Sequence, residues 1–172
     1  MQMVKKIIIT LFLLPIFLLL LSPKEELYYL LENELEKNDI VISNEKFSDT
    51  LFGLTISDAD VYIKGINMIK IKSLNLNLFF LYNQLTIESI ETDKGIHDIV
   101  PKSIESITAT FSILKPYKVA VEATGSFGST VGGYYIGKNK LFFRIKEQKN
   151  IRSFKKFLKT DTEGLYYEKF FK

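Results

Sequence analysis

The sequence predicts an α+β protein that is mainly β: a single N-terminal transmembrane helix, then a curved antiparallel sheet with a short helix at each end. Three observations predict this class. Residues 5–22 hold one continuous apolar run, residues 23–38 and 150–159 space their apolar side chains as helices do, and much of residues 39–172 alternates apolar and polar residues. Strand-like segments recur about every 12 to 16 residues without long helices between them, which favours an antiparallel sheet.

The apolar run predicts a signal-anchor that spans a membrane once. Between positions 7 and 21 no residue is charged and only Thr10 is polar, and a helix of this length covers roughly 23 Å of a hydrocarbon core about 30 Å thick. Pro15 predicts a kink, which membrane helices tolerate. A cleaved signal peptide is the alternative, but no small-x-small pattern marks a cleavage point. The spanning residues are Ile7, Leu11, Pro15, Leu18 and Leu21.

Basic residues set the expected orientation of this anchor. Lys5 and Lys6 precede the run, whereas Lys24 after it is neutralised by Glu25 and Glu26. By the positive-inside rule, residues 1–22 form a cytoplasmic tail and signal-anchor, and about 150 residues lie across the membrane.

A juxtamembrane amphipathic helix is predicted over residues 23–38. Ser22 is a good N-cap residue, and Pro23 suits the first helical position. The apolar residues at helical spacing are Leu27, Leu30, Leu31 and Leu35.

Residues 39–172 are predicted to form one β-rich domain. Strands are expected at residues 40–42, 54–63, 69–78, 85–90, 107–113, 117–127, 130–136, 140–146 and 165–171, and residues 47–53 read as a turn. The alternation within 69–78 slips by one residue, since Lys70 and Lys72 are polar and then Asn75 and Asn77 are. That slip predicts a bulge or bend around Ser73.

Two surfaces of this domain are candidate binding sites. The predicted helix over residues 150–159 carries a basic face that could contact a partner or an anionic membrane, and its alternative is a helix with its polar face in water. Its basic residues are Arg152, Lys155, Lys156 and Lys159. Leu76, Leu78 and Phe80 lie in an unusually apolar stretch that could line a lipid-sized groove, and their alternative is an ordinary core.

The residues that carry chemistry are sparse. The chain has no cysteine and one histidine, His97, which has no nucleophile motif or further ligands beside it. Asp58 and Asp60 are spaced to share a strand face, where solvated carboxylates are the commoner explanation. The glycine-rich residues 125–133 lack the lysine of a phosphate loop and favour a tight corner of a sheet. We therefore expect no enzyme activity, no cofactor and no metal site.

The order of anchor, helix and strands resembles type II secretion system protein N and the wider AsmA-like group. The resemblance rests on the alternating residues 54–62, 69–78 and 85–90 and on the closing strand that follows Thr162. It implies a bacterial inner-membrane protein with a periplasmic β-rich domain and offers no catalytic residues. Small anchored proteins of type IV pilus and competence machineries fit the same pattern.

The expected function is therefore a non-enzymatic, single-pass component of a secretion, type IV pilus or DNA-uptake apparatus that holds protein partners at the membrane. The alternative is a small lipid-binding or lipid-transfer module with an apolar groove. A formal charge of +3 from 23 basic and 20 acidic residues is close to balance, so no direct nucleic-acid binding is expected.

Overall fold

The computed structural model describes residues 24–79, 81–97, 100–151 and 155–171, and these ranges are mainly β. Helix α1 spans Lys24–Glu36. The strands are β1 (Ile40–Ser43), β2 (Lys46–Thr50), β3 (Gly53–Ile63), β4 (Ile66–Phe79), β5 (Tyr82–Thr92), β6 (Ser103–Ser112), β7 (Lys118–Gly125), β8 (Gly128–Tyr135), β9 (Lys140–Gln148), β10 (Lys159–Asp161) and β11 (Gly164–Phe170).

All of these strands belong to one antiparallel sheet. Ten of them follow one path in the order β1-β3-β4-β5-β6-β7-β8-β9-β11-β10. β1 pairs with the end of β3 and β2 with its start, so both lie along the same edge of the sheet. Short turns place most chain neighbours side by side, whereas β11 lies between β9 and β10.

The predicted fold class is wrong. The described residues form a mainly β structure with one short α-helix, not an α+β structure with a transmembrane helix and a helix at each end of the sheet. Within the described ranges, no helix is both long and apolar enough to cross a membrane. The predicted spanning residues Ile7, Leu11, Pro15, Leu18 and Leu21 lie outside the described residues.

The described part of residues 150–159 does not form the predicted helix. Asn150 has a left-handed φ of 43°, which is not the extended backbone of an N-cap residue. Lys155–Phe157 form one 3-10 turn, and Lys159 already pairs with Tyr166 as part of β10. A ten-residue helix is marginal without tertiary contacts, and pairing with β11 satisfies the backbone of residues 159–161 instead.

A transverse row of polar residues crosses strands β3 to β6. Its members are Asp58, Lys72, Ser89 and Glu105, and all four are exposed. None of them has a paired residue on a neighbouring strand, although the residues before and after each of them do. Asp58 and Ser89 have left-handed φ values of 58° and 54°. The irregularity predicted near Ser73 is therefore present one residue away, and it extends over four strands.

This row explains why the apolar pattern slips in sequence. Leu54 and Ile56 before Asp58, and Ala59 and Val61 after it, are all buried although the two pairs are out of phase. A left-handed residue at Asp58 absorbs the extra position. Both halves of the strand can therefore keep their apolar side chains on one face of the sheet.

Helix α1 covers only one end of the sheet. Tyr28 is 8% exposed and packs edge-to-face on Phe47, with 4.9 Å between the ring centroids. It joins Leu54, Ile56 and Ala59 in one buried cluster. Leu30 and Leu31, by contrast, are 65% and 54% exposed, so this part of the expected apolar stripe does not face the sheet.

Candidate functional site

The sheet has one apolar face and one polar face. Directly paired residues of antiparallel strands point to the same side, so cross-strand rows identify each face. We define the apolar face by two such rows. The first row is Ile56, Leu74, Ile87, Ile107, Ala123, Thr130 and Ile145, and the second is Leu54, Leu76, Leu85, Ala109, Val121, Gly132, Phe143 and Tyr167.

The polar face is shown by the row between them. It runs through Thr55, Asn75, Thr86, Thr108, Glu122, Val131, Arg144 and Tyr166. The hydroxyl of Thr55 donates to Oδ1 of Asn75 at 2.9 Å, so part of this face satisfies its own polar groups. A sheet of this kind is built to keep one side in water and to cover the other.

The apolar face is far wider than its helical cover. Besides the contacts between paired strands, the main packing of elements in the described ranges is that of α1 on β1 and β3. Both rows nevertheless continue to β9, and the second reaches β11. Their side chains are buried or half-buried, with Ala123 and Ile145 each 9% exposed.

Two of the three candidate groove residues, Leu76 and Leu78, belong to this face. Leu76 pairs with Leu54 and Leu85 and packs against the cluster around Tyr28, so it is part of the core beneath α1. Leu78 is half-buried on the same face, beyond that core. Phe80 lies outside the described residues.

The contact between α1 and the sheet contains a buried hydroxyl group without a hydrogen-bond partner. Among the described residues, the Tyr28 hydroxyl is the buried side-chain polar atom that makes no hydrogen bond. Burial raises its pKa, with smaller contributions from the Glu45 and Glu32 carboxylates. Burial and the neighbouring carboxylates of Glu45 and Glu36 also raise the pKa of Glu32. Several carboxylates therefore lie close together where α1 packs on the sheet.

At the opposite end of the sheet, an ion-pair clamp fixes β10. Arg144 Nη1 and Nη2 each donate to the Asp161 carboxylate at 2.8 Å, and Nη2 lies 3.3 Å from Glu163 Oε2. The guanidinium also stacks near the ring of Tyr166, 5.9 Å from its centroid. Bidentate geometry makes this pair the strongest polar link between β9 and the β10–β11 turn. Sequence reasoning missed it because Arg144 and Asp161 are far apart in the chain.

Acid should release this clamp. The Arg144 hydrogen bonds hold the pKa of Asp161 down to about 2, below the value of about 3.9 expected in an unfolded chain. A lowered folded pKa gives stability that is present above pH 4 and lost as the pH falls toward 2. We expect the Asp161 carboxyl and the Tyr166 amide to shift together in an NMR titration over that range. A carboxyl that titrates near pH 4 with an unmoved amide would contradict the clamp.

The predicted basic surface does not form a helical face. Lys155 and Lys156 lie exposed in the 3-10 turn, Lys159 lies in β10 with its Nζ 3.5 Å from Glu168 Oε2, and Arg152 lies outside the described residues. Lys155, Lys156 and Lys159 therefore lie near the β10 edge of the sheet and do not form one face of a helix.

The remaining sequence candidates have local roles. His97 Nε2 lies 3.0 Å from the Thr92 carbonyl oxygen and closes the loop after β5. Asp58 pairs with Lys46 at 3.0 Å, whereas Asp60 accepts hydrogen bonds from Asn44 and Asn67, which lower its pKa. The two carboxylates therefore have separate partners. Within the described ranges, no group of three or more acidic or histidine side chains could hold a metal ion.

The glycine-rich residues 125–133 form the hairpin of β7 and β8. A Cβ atom on Gly128 would lie 2.1 Å from the Glu147 carbonyl oxygen, and one on Gly132 would lie 2.0 Å from that of Phe142. These glycines let β8 approach β9 closely. They serve the sheet rather than a phosphate.

Comparison with known proteins gives no relative: no protein-family model matches the chain, and no curated protein or solved structure matches it.

Proposed function

We propose that this chain is a non-enzymatic component of a membrane-associated apparatus and that the apolar face of its sheet holds a partner. The observation that carries the proposal is the width of that face. Its rows run from β3 to β11, whereas α1 packs mainly on β1 and β3. Burying apolar area is the main favourable contribution to association. The half-buried members of these rows, such as Leu74, Ile87 and Ile107, still have such area to bury against a partner.

A membrane location is supported by the sequence. The uncharged residues 7–21 are apolar enough to favour a lipid environment. The resemblance to type II secretion system protein N and the AsmA-like group supports a place in the bacterial inner membrane, with the sheet in the periplasm. A secretion, type IV pilus or DNA-uptake apparatus is the setting that this resemblance favours.

A lipid acyl chain is the second candidate for the partner, and the composition of the face favours it. From β4 to β7 the two rows are entirely aliphatic, as at Leu74, Ile87 and Ile107. Protein interfaces are enriched in aromatic residues, methionine and arginine. A purely aliphatic strip is better suited to hydrocarbon, and the sheet would then bind or pass on a lipid.

Mass spectrometry of the full chain, purified in mild detergent from its own membranes, separates the candidates. Co-purifying apparatus proteins without lipid would support a protein-holding role, and a stoichiometric lipid would support the second candidate. The matched variants are Ile107→Asn on the apolar face and Thr108→Asn on the polar face. Loss of the partner from the first variant only is the expected result, provided that both retain the wild-type circular dichroism spectrum. Equal binding by both variants would contradict the proposal.

A further inference from the structure

The two segments of sequence that include the edge strands differ in formal charge. Residues 24–50, which form α1, β1 and β2, include eight acidic and three basic residues. Residues 149–172, which include β10 and β11, hold seven basic and three acidic residues. The near balance of the whole chain hides this separation. The strand order places β1 and β2 of the acidic segment at one edge of the sheet and β10 of the basic segment at the other.

Charges at both edges are available to a partner. In the described part of the chain, Glu36, Glu45 and Asp49 make no ion pair, and neither do Lys155 and Lys156. Burial raises the pKa of Glu32, and the nearby carboxylates of Glu45 and Glu36 raise it further, so these three acidic residues repel one another. A cationic neighbour would relieve that repulsion.

The backbone at both edges is also open. β1 contains neither a charged residue nor a proline, the usual protections of an edge strand, and its Val41 is 39% exposed. β10 is three exposed residues long and pairs only with residues 164–166 of β11. β1 therefore presents strand that another strand can join, whereas the shortness of β10 and its charged Lys159 and Asp161 limit pairing there to a few hydrogen bonds.

Strand direction decides how two copies fit. Every neighbouring pair is antiparallel and the path holds ten strands, so β1 and β10 run in opposite directions. A second copy placed in the same orientation would set its β1 antiparallel to β10 of the first, which continues the sheet. A two-fold dimer would instead join acidic edge to acidic edge or basic edge to basic edge, which like charges oppose.

We propose that this protein self-associates head to tail, with the acidic β1–β2 edge of one copy against the basic β10–β11 edge of the next. The joint extends both faces of the sheet from copy to copy. A heterologous joint of this kind closes into a ring or continues as a filament. It does not depend on which partner the apolar face holds.

Energy transfer between labelled copies tests this joint. The chain has no cysteine, so Ser48→Cys in β2 and Thr160→Cys in β10 each give one dye position on the full chain in detergent. We expect transfer between copies labelled at 48 and copies labelled at 160, and little between copies both labelled at 48. Raising the salt from 0.05 to 0.5 M should weaken the association by about tenfold or more, because screening shortens the range of the charges. No transfer at low salt, or equal transfer for the 48–48 pair, would overturn the proposal.

Charge reversal supplies the decisive control. Glu36→Lys with Asp49→Lys brings the formal charge of residues 24–50 from −5 to −1, and Lys155→Glu with Lys156→Glu brings that of residues 149–172 from +4 to 0. Each double variant alone should lose association, and an equal mixture of the two should regain it. Lys94→Glu with Lys115→Glu, at exposed positions between central strands, should behave as wild type. Failure of the mixture to associate, or loss of association in this control, would overturn the proposed joint.

Discussion

Replacing Ile56 with alanine should lower the free energy of unfolding by about 3 kcal/mol. Ile56 is 3% exposed and lies in the cluster that joins α1 to the sheet through Tyr28, Leu54 and Ala59. The loss combines the transfer of the removed carbons with the cavity that they leave. Urea denaturation followed by circular dichroism measures it.

The matched control is Ile66→Ala. Ile66 begins β4 and is 59% exposed, so its truncation should change stability by less than about 0.5 kcal/mol. Similar losses for the two variants would mean that the cluster beneath α1 does not stabilise the fold in the way its burial indicates.

Substituting Gly128 with alanine should be comparably severe, at about 3 kcal/mol or more. The φ of Gly128 is +101°, which an alanine rarely adopts, and the new Cβ would lie 2.7 Å from the Glu147 carbonyl carbon as well as against its oxygen. Backbone atoms cannot move aside cheaply, so β8 must separate from β9. Thermal unfolding of the purified variant is the measurement.

Gly137→Ala is the control for this substitution. Gly137 lies in the 3-10 turn Ile136–Lys138 between the same two strands, and a Cβ there meets nothing within 4 Å. Its replacement should leave stability within about 0.5 kcal/mol of wild type. A mild effect at position 128 would show that β8 and β9 are less closely apposed than the structure has them.

The β-strands were predictable because a half-buried strand imposes a period of two on its residues. Residues 130–135 and 140–146 of the predicted hairpin lie within β8 and β9. Ile136 belongs instead to the 3-10 turn Ile136–Lys138, which joins the two strands through Asn139. Residues 47–53 are predicted as a turn, yet Lys46–Thr50 forms β2, since pairing with β3 outweighs the weak strand propensity of Ser48 and Asp49. The helix predicted over residues 150–159 is wrong for the same reason. Pairing of residues 159–161 with β11 outweighs the helical spacing of the apolar residues.

The candidate site was predicted only in part. Leu76 and Leu78 lie on the apolar face, but the rows through Ile87, Ile107 and Val121 became visible only once the register was known. Alternation marks which residues of a strand share a face, and it does not reveal which strands lie side by side. The charge separation was missed for a related reason, since only the strand order shows that acidic and basic segments occupy opposite edges.

Photocrosslinking from neighbouring positions tests the central claim most directly. Ile107 pairs with Ile87 and Ala123 on the apolar face, and Thr108 pairs with Thr86 and Glu122 on the polar face. A benzophenone amino acid placed at either position of the full chain reports what touches that face in the native membrane. We expect a lipid or protein adduct from position 107 and little or none from position 108. Equal adducts from both positions, or an adduct from position 108 alone, would contradict it.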